Sequence, residues 1–312
     1  LAEESKRLLV DRIERHAIDC GLRWGYLHVL PKPGRMDGLK EWKAEWDALG
    51  YTDTRLIDKP ELDEMLGTRV YHGALREGGA GHFHPLNYCL GLARAAGAAG
   101  AVIHEHSPAI EVDTGSKPFV RTAKGRVNAR FVIIACNGYL GRLVPQLYGK
   151  VLPVTSYIIA TEPLSEAMVA EINPQDLAVC DSNVVLDYYR LSADRRMLFG
   201  GRCNYSNRDP KDIGASMRPR MIEIFPQLKN AKIDFAWGGR IAIVMNRAPV
   251  IERLEPNLYV LQGYSGHGVN ATHIAAEIVS DAICGATERF DLFDRIRHTR
   301  LPLSDVFGNQ ML

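Results

Sequence analysis

Residues 257–284 place a strand, a glycine turn and a helix in immediate succession, and few folds accept a unit of that kind. The run Asn257 to Gln262 is apolar enough for a buried strand, and Gly263 to Gly268 is rich in glycine. Val269 to Cys284 then carries Ile274, Ile278 and Ala282 on one helical stripe. The pattern is that of an α/β edge. Its glycines let backbone approach a ligand, and the helix that follows offers unpaired N–H groups and the positive end of its dipole. A bound anion or an electron-rich ring suits such a turn; a tight turn that needs glycine for geometry alone is the plainer alternative.

The rest of the chain fits around this unit. Leu1 to Cys20 has the stripe of a helix (Leu9, Ile13, Ala17) ended by Gly21, and Gly25 to Leu30 is strand-like. Leu39, Trp42, Trp46 and Leu49 mark a second helix, and Asp58-Lys59-Pro60 opens a third. Gly78 to Pro85 is expected to be a loop that delivers His82 and His84 to a helix starting at Pro85. From Ala101 the period shortens: Ala101–His104, Ala109–Asp113, Phe119–Thr122 and Arg130–Cys136 are strand-like, and Phe131 to Ala135 is apolar on both faces, as in a buried parallel strand. Strands are also expected at Val151–Thr161, Val184–Ser192, Met197–Arg202, Lys232–Trp237 and Arg240–Met245, with helices at Leu164–Ile172 and Ser216–Phe225. The fold class is therefore α/β (α+β). A discontinuous nucleotide-binding domain (77–148 and 247–289) is interrupted by a mixed or antiparallel sheet domain for substrate (149–246). Residues 1–76 form a helical segment joining the two, and 290–312 a tail.

With 38 Lys plus Arg against 37 Asp plus Glu, the net charge of +1 gives no electrostatic reason to expect nucleic acid or an anionic membrane surface. No apolar run reaches the ~20 residues of a membrane helix. Cys20, Cys89, Cys136, Cys180, Cys203 and Cys284 lie without any C-x-x-C pair, so neither a zinc ribbon nor a disulfide framework is indicated, and a cytoplasmic location is the simplest expectation. Small molecules are the expected partners.

Several segments could carry chemistry. Gly263-Tyr264-Ser265-Gly266-His267-Gly268 is not a nucleophile elbow, because the second glycine of G-x-S-x-G falls one residue early. His82 with His84, and His104 with His106, are H-x-H pairs, but Glu105 alone accompanies them and no metal site is expected. Tyr188 and Arg190 share one face of a strand and could hold a carboxylate; an Arg stem packed along an aromatic is the plainer alternative. Trp237-Gly238-Gly239-Arg240 could bring a guanidinium to a ligand or form a bulged edge.

Four pieces taken in order carry a resemblance: Gly81-His82-Phe83-His84-Pro85-Leu86-Asn87, Asp187-Tyr188-Tyr189-Arg190-Leu191-Ser192-Ala193-Asp194, Phe225-Pro226-Gln227-Leu228, and Tyr264-Ser265-Gly266-His267-Gly268-Val269. Together they resemble the D-amino-acid oxidase superfamily of flavoproteins, and within it the gamma-glutamylputrescine oxidases and related FAD-dependent amine oxidases. The resemblance implies a Rossmann-like domain holding FAD, with an amine or amino-acid substrate between the flavin and the second domain's sheet. A hydride beside the amine nitrogen passes to the flavin, and oxygen or another acceptor takes the electrons. It also implies that Gly266, His267, Gly268, Val269 and Asn270 lie under the flavin's pyrimidine edge, that Ala109 meets the adenine, and that Ala135, Cys136 and Gly138 lie beside the cofactor. Arg240 falls near flavin and substrate, with His82, His84, Tyr188 and Arg190 on the substrate side.

The chain departs from the family pattern in three places. No G-x-G-x-x-G follows an apolar strand, so the first βαβ unit is expected to lie outside this sequence. Asn270 stands where some relatives have a Lys that promotes reaction with oxygen, which leaves oxidase and dehydrogenase both open. No Cys lies between Trp237 and Tyr264, which argues against the covalent flavin link of other relatives. A truncated non-catalytic relative, or an accessory subunit that does not bind FAD by itself, is the alternative.

Overall fold

The computed structural model describes residues 1–115, 117–204 and 209–300. Helix α1 (Ala2–Arg15) has Glu3 and Glu4 in its first turn and Arg12 and Arg15 in its last, the order the helix dipole favours. Strand β1 (Arg23–Val29), helix α2 (Met36–Ala48), strand β2 (Thr54–Ile57) and helix α3 (Lys59–Met65) follow. Asp58 caps α3 by accepting the Glu61 N–H, with Pro60 in the first turn. Strand β3 (Ala74–His82) leads into helix α4 (Pro85–Ala98). Strands β4 (Ala109–Asp113), β5 (Phe119–Thr122) and β6 (Gly125–Asn128) form an antiparallel meander, followed by β7 (Val132–Ile134).

The second half begins with β8 (Leu152–Thr161), helix α5 (Glu166–Ile172), β9 (Ala178–Asp181), β10 (Tyr188–Leu191) and β11 (Met197–Asn204). Helix α6 (Ile213–Ile224) and β12 (Ile233–Ile243) come next. Strands β13 (Val250–Glu255) and β14 (Leu258–Gln262), helix α7 (Gly268–Ile283) and helix α8 (Glu288–Asp294) complete the described elements.

Eight strands make one sheet in the order β12-β8-β11-β10-β9-β1-β3-β2, antiparallel except where β1 runs parallel to β9. Because side chains alternate, one face is the main core: Leu27 and Val29, Val179, Tyr189 and Leu191, Met197 and Phe199, and Tyr157 and Ile159 pack against Met217, Met221 and Ile224 of α6. Each fully buried side chain of this kind contributes roughly 1.5–3 kcal/mol. The intervening residues point the other way and give the opposite face a polar, aromatic character: Tyr26, His28, Cys180, Tyr188, Arg190, Ser156 and Trp237. The small sheet β13-β14-β7 packs under α7, whose Ile274, Ile278 and Ala282 meet Tyr259, Leu261 and Phe290. β14 and β7 are parallel.

Several expectations are corrected. Residues 1–76 are more than a helical connector, because β1 and β2 are built into the large sheet and β1 pairs with β9. Gly78 to His82 is the end of β3, not a loop; at Gly81 the chain lies so close to the Arg23 carbonyl of β1 that a side chain would run into it. Ala101 to His104 forms no strand, and Val102 and Ile103 are exposed. Lys232–Trp237 and Arg240–Met245 are one continuous strand, β12. Parallel pairing holds for β7, but Ile133 is exposed, so only one of its faces is buried.

Candidate active site

The turn between β14 and α7 is anchored on two neighbours. Gly263 (φ +76) donates its N–H to Asn137 Oδ1 at 3.1 Å, and Val244 fills the space a side chain there would need. Ser265 (φ +53) donates its N–H to the Ala242 carbonyl at 2.9 Å, while its Oγ accepts the Val244 N–H at 3.2 Å. The turn is thus docked on the end of β12. Gly266 (φ +96) differs, since a Cβ there would meet nothing within 4 Å. The two glycines thus differ: Gly263 is glycine for packing, and Gly266 borders open space.

His267 and Val269 are exposed at the start of α7. The first N–H groups of a helix have no intrahelical partner, so an acceptor or anion beside this turn would find donors already oriented. The Asn270 side chain is turned toward α1, its Nδ2 donating to the Ala2 carbonyl at 3.2 Å. The buried Ser5 Oγ donates to the Asn270 carbonyl at 2.5 Å and accepts the Ile274 N–H at 3.2 Å, spanning the two groups that a helix normally bonds to each other.

A second segment, 135–139, leaves the end of β7. Ala135 and Cys136 are exposed, Asn137 (φ +47) anchors Gly263, and buried Gly138 lies against the Cβ of Arg240. The Arg240 N–H donates to Tyr139 Oη at 3.0 Å, and the guanidinium lies 5.8 Å from the Tyr139 ring centroid. Arg240 is exposed and makes no ion pair among the described residues. Ala109 opens β4, paired with Thr122 in the meander.

The third part is the polar face of the large sheet. Tyr188 on β10 pairs with Gly200 on β11, and its hydroxyl lies 3.1 Å from that of Ser156 on β8. Ser156 pairs with Gly239 of β12, three residues before Ala242, where the glycine turn docks. Three residues of strand span roughly 10 Å, which puts the Ser156 rung and the turn close together on one strand. Burial raises the Tyr188 phenol, and the Ser156 bond opposes that rise.

The remaining substrate-side candidates are held by the protein itself. His82 Nε2 donates to the Asp176 carbonyl at 2.7 Å, and burial keeps the imidazole below its ordinary range despite the nearby Asp176 carboxylate. His84 caps α4, its Nδ1 accepting the Asn87 N–H at 3.2 Å. Arg190 donates to the carbonyls of Leu191 at 2.9 Å and Phe83 at 3.1 Å, tying β10 to the entry of α4. The structure thus brings Arg240, Gly138 and the turn together, whereas His82, His84 and Arg190 hold the crossover between sheet and helices. Ser156, Asn137 and Tyr139 were not picked out by sequence reasoning, and Ser265 was read only as part of the turn; of the first three Asn137 alone carried a signal, an Asn before Gly at a strand end, where αL backbone is tolerated. Among the described residues no group of His, Cys, Asp and Glu could hold a metal ion, and no helix is long and apolar enough to cross a membrane.

The chain is similar to known proteins. A family model described as FAD dependent oxidoreductase (DAO) matches residues 1–282. A probable oxidoreductase OrdL of Haemophilus influenzae is 40% identical over 315 residues, covering 99% of this chain and 71% of that protein. The gamma-glutamylputrescine oxidoreductase of Escherichia coli is 38% identical over 300 residues, covering 96% of this chain and 70% of that protein. A crystal structure of glycine oxidase from Geobacillus kaustophilus has the same fold, with a TM-score of 0.81 at 22% identity, over 95% of this chain and 82% of that one.

Proposed function

This chain belongs to the DAO family of FAD-dependent oxidoreductases, and from that premise we propose that it oxidises the C–N bond of an amine or amino acid that also carries a carboxylate. As a member of this family it is an FAD-dependent enzyme. When bound, the flavin supplies a two-electron acceptor for the hydride beside the amine nitrogen. The chain's own residues do the holding. Residues 266–269 border the open side of the turn, where backbone N–H groups and the α7 dipole favour negative charge on the ring. Arg240, with no ion pair among the described residues, takes the substrate carboxylate, and Tyr188 offers a hydroxyl beside Ser156, whose partner on β12 is the residue before Arg240. The observation that carries this reading is the docking of the open glycine turn on β12, beside the rung that holds Tyr188. Gamma-glutamylputrescine, with its amines and carboxylate, is the leading substrate, followed by D-amino acids and N-methyl amines such as sarcosine.

The test is a substrate panel of gamma-glutamylputrescine, D-alanine, glycine and sarcosine offered to the FAD-loaded protein. With the best-used member, Arg240→Met raises KM about 10- to 100-fold with little change in kcat, the loss expected for one charge-assisted pair. Arg190→Met instead lowers the melting temperature, because the Phe83 and Leu191 carbonyls lose their donor. A colourless protein that gains no flavin absorbance with added FAD, no turnover of any panel member, or wild-type kinetics in Arg240→Met would each count against the reading.

A further inference from the structure

The placing of Tyr188 depends on two residues of other strands. A Cβ on Gly200 would run into the Cε2, Cζ and Oη atoms of Tyr188, so the phenol lies down across the glycine instead of standing away from the sheet. Lying flat, it crosses β11 and reaches β8. There Gly200 pairs with Ile158, and Ser156 is the next residue of β8 on the same face. The Ser156 and Tyr188 hydroxyls meet at 3.1 Å. On its other side Ser156 pairs with Gly239, where a Cβ would meet nothing within 4 Å, so the hydroxyl pair lies next to open space along β12.

We propose that Ser156 and Gly200 are positioning residues that fix the Tyr188 hydroxyl at the substrate, Gly200 by giving the ring a place to lie and Ser156 by holding its oxygen. With the serine as donor, the phenol keeps its own proton to give to an incoming carboxylate oxygen. A side chain at position 200 would lift the ring, and a missing hydroxyl at 156 would free its end to turn. This proposal rests on the reading that Tyr188 faces the substrate.

The experiment compares Ser156→Ala, Ser156→Thr, Tyr188→Phe and the Ser156→Ala/Tyr188→Phe double variant in the FAD-loaded enzyme, with the best-used member of the same panel. Tyr188→Phe raises KM about tenfold and Ser156→Ala severalfold, with kcat held within about twofold, as expected for a lost hydrogen bond in substrate binding. Ser156→Thr, which restores the hydroxyl, returns KM to the wild-type value. The double variant is no worse than Tyr188→Phe alone, because Ser156 acts only through the phenol. Multiplying effects in the double variant, or an unchanged KM in Ser156→Ala beside a raised one in Tyr188→Phe, overturns the proposal alone. An unchanged KM in Tyr188→Phe overturns the reading of the site and the proposal with it.

Discussion

Gly266→Leu weakens FAD binding about a hundredfold or more while lowering the melting temperature only slightly. The reason lies in where the new side chain goes. The chain itself leaves the space beside Gly266 open, so little clashes inside the folded protein, and the added volume falls in the space proposed for the cofactor. The backbone there is at φ +96, so any L side chain adds strain of about 1–2 kcal/mol. Gly285, at φ +104 in the turn between α7 and α8, is the matched control: its surroundings are equally open and it lies at the other end of α7. Gly285→Leu incurs the same backbone strain and leaves FAD affinity unchanged. A fluorescence-quenching titration with FAD measures both, and equal affinities for the two variants would remove Gly266 from the cofactor site.

Acidification is the second large effect. His273 of α7 is buried, with Arg12 Nη1 at 2.9 Å from its Nδ1 and the Tyr88 hydroxyl at 3.2 Å from its Nε2. A guanidinium can only donate, so Nδ1 is the acceptor and Nε2 carries the proton toward Tyr88. Burial, and then the Arg12 charge, push the imidazole down to about 4. The folded protein therefore resists a proton that the unfolded chain accepts at ordinary histidine values. Above about pH 6.5 the group is neutral in both states and contributes no pH dependence. Between there and about pH 4 stability falls with falling pH, by roughly 3 kcal/mol in all, and it levels off below. Urea unfolding of wild type and His273→Gln at pH 7, 5.5 and 4 tests this: the variant should lose most of that slope, and an identical slope would show that other groups set it.

Sequence pattern made the local elements legible and left their pairing hidden. The strand, turn and helix of 257–284 could be read because each uses a different periodicity and the boundaries are glycines. Gly78 to Gly81 misled for the same reason: glycine there serves a close strand approach, not a turn. The triplet around Val102 is apolar yet finds no strand partner, which composition alone does not reveal. That β1 lies beside β9 depends on a contact across some 150 residues, beyond any local signal. Alternation put Arg190 on the correct face but did not show that its guanidinium reaches the carbonyls of Phe83 and Leu191. Ser156 and Gly200 were invisible for a deeper reason: neither belongs to a motif, and both act only through register with Tyr188.

The bridge that Ser5 makes into α7 joins the first helix to the last long one across 265 residues of chain. During synthesis the α7-facing side of α1, with Ser5, Leu8 and Arg12, leaves the ribosome on the order of tens of seconds before Asn270 and His273 exist. For that interval a nascent chain carries α1 with the side meant for α7 still without its partner, although its other side already has Ile18, Cys20 and Tyr88 to pack on.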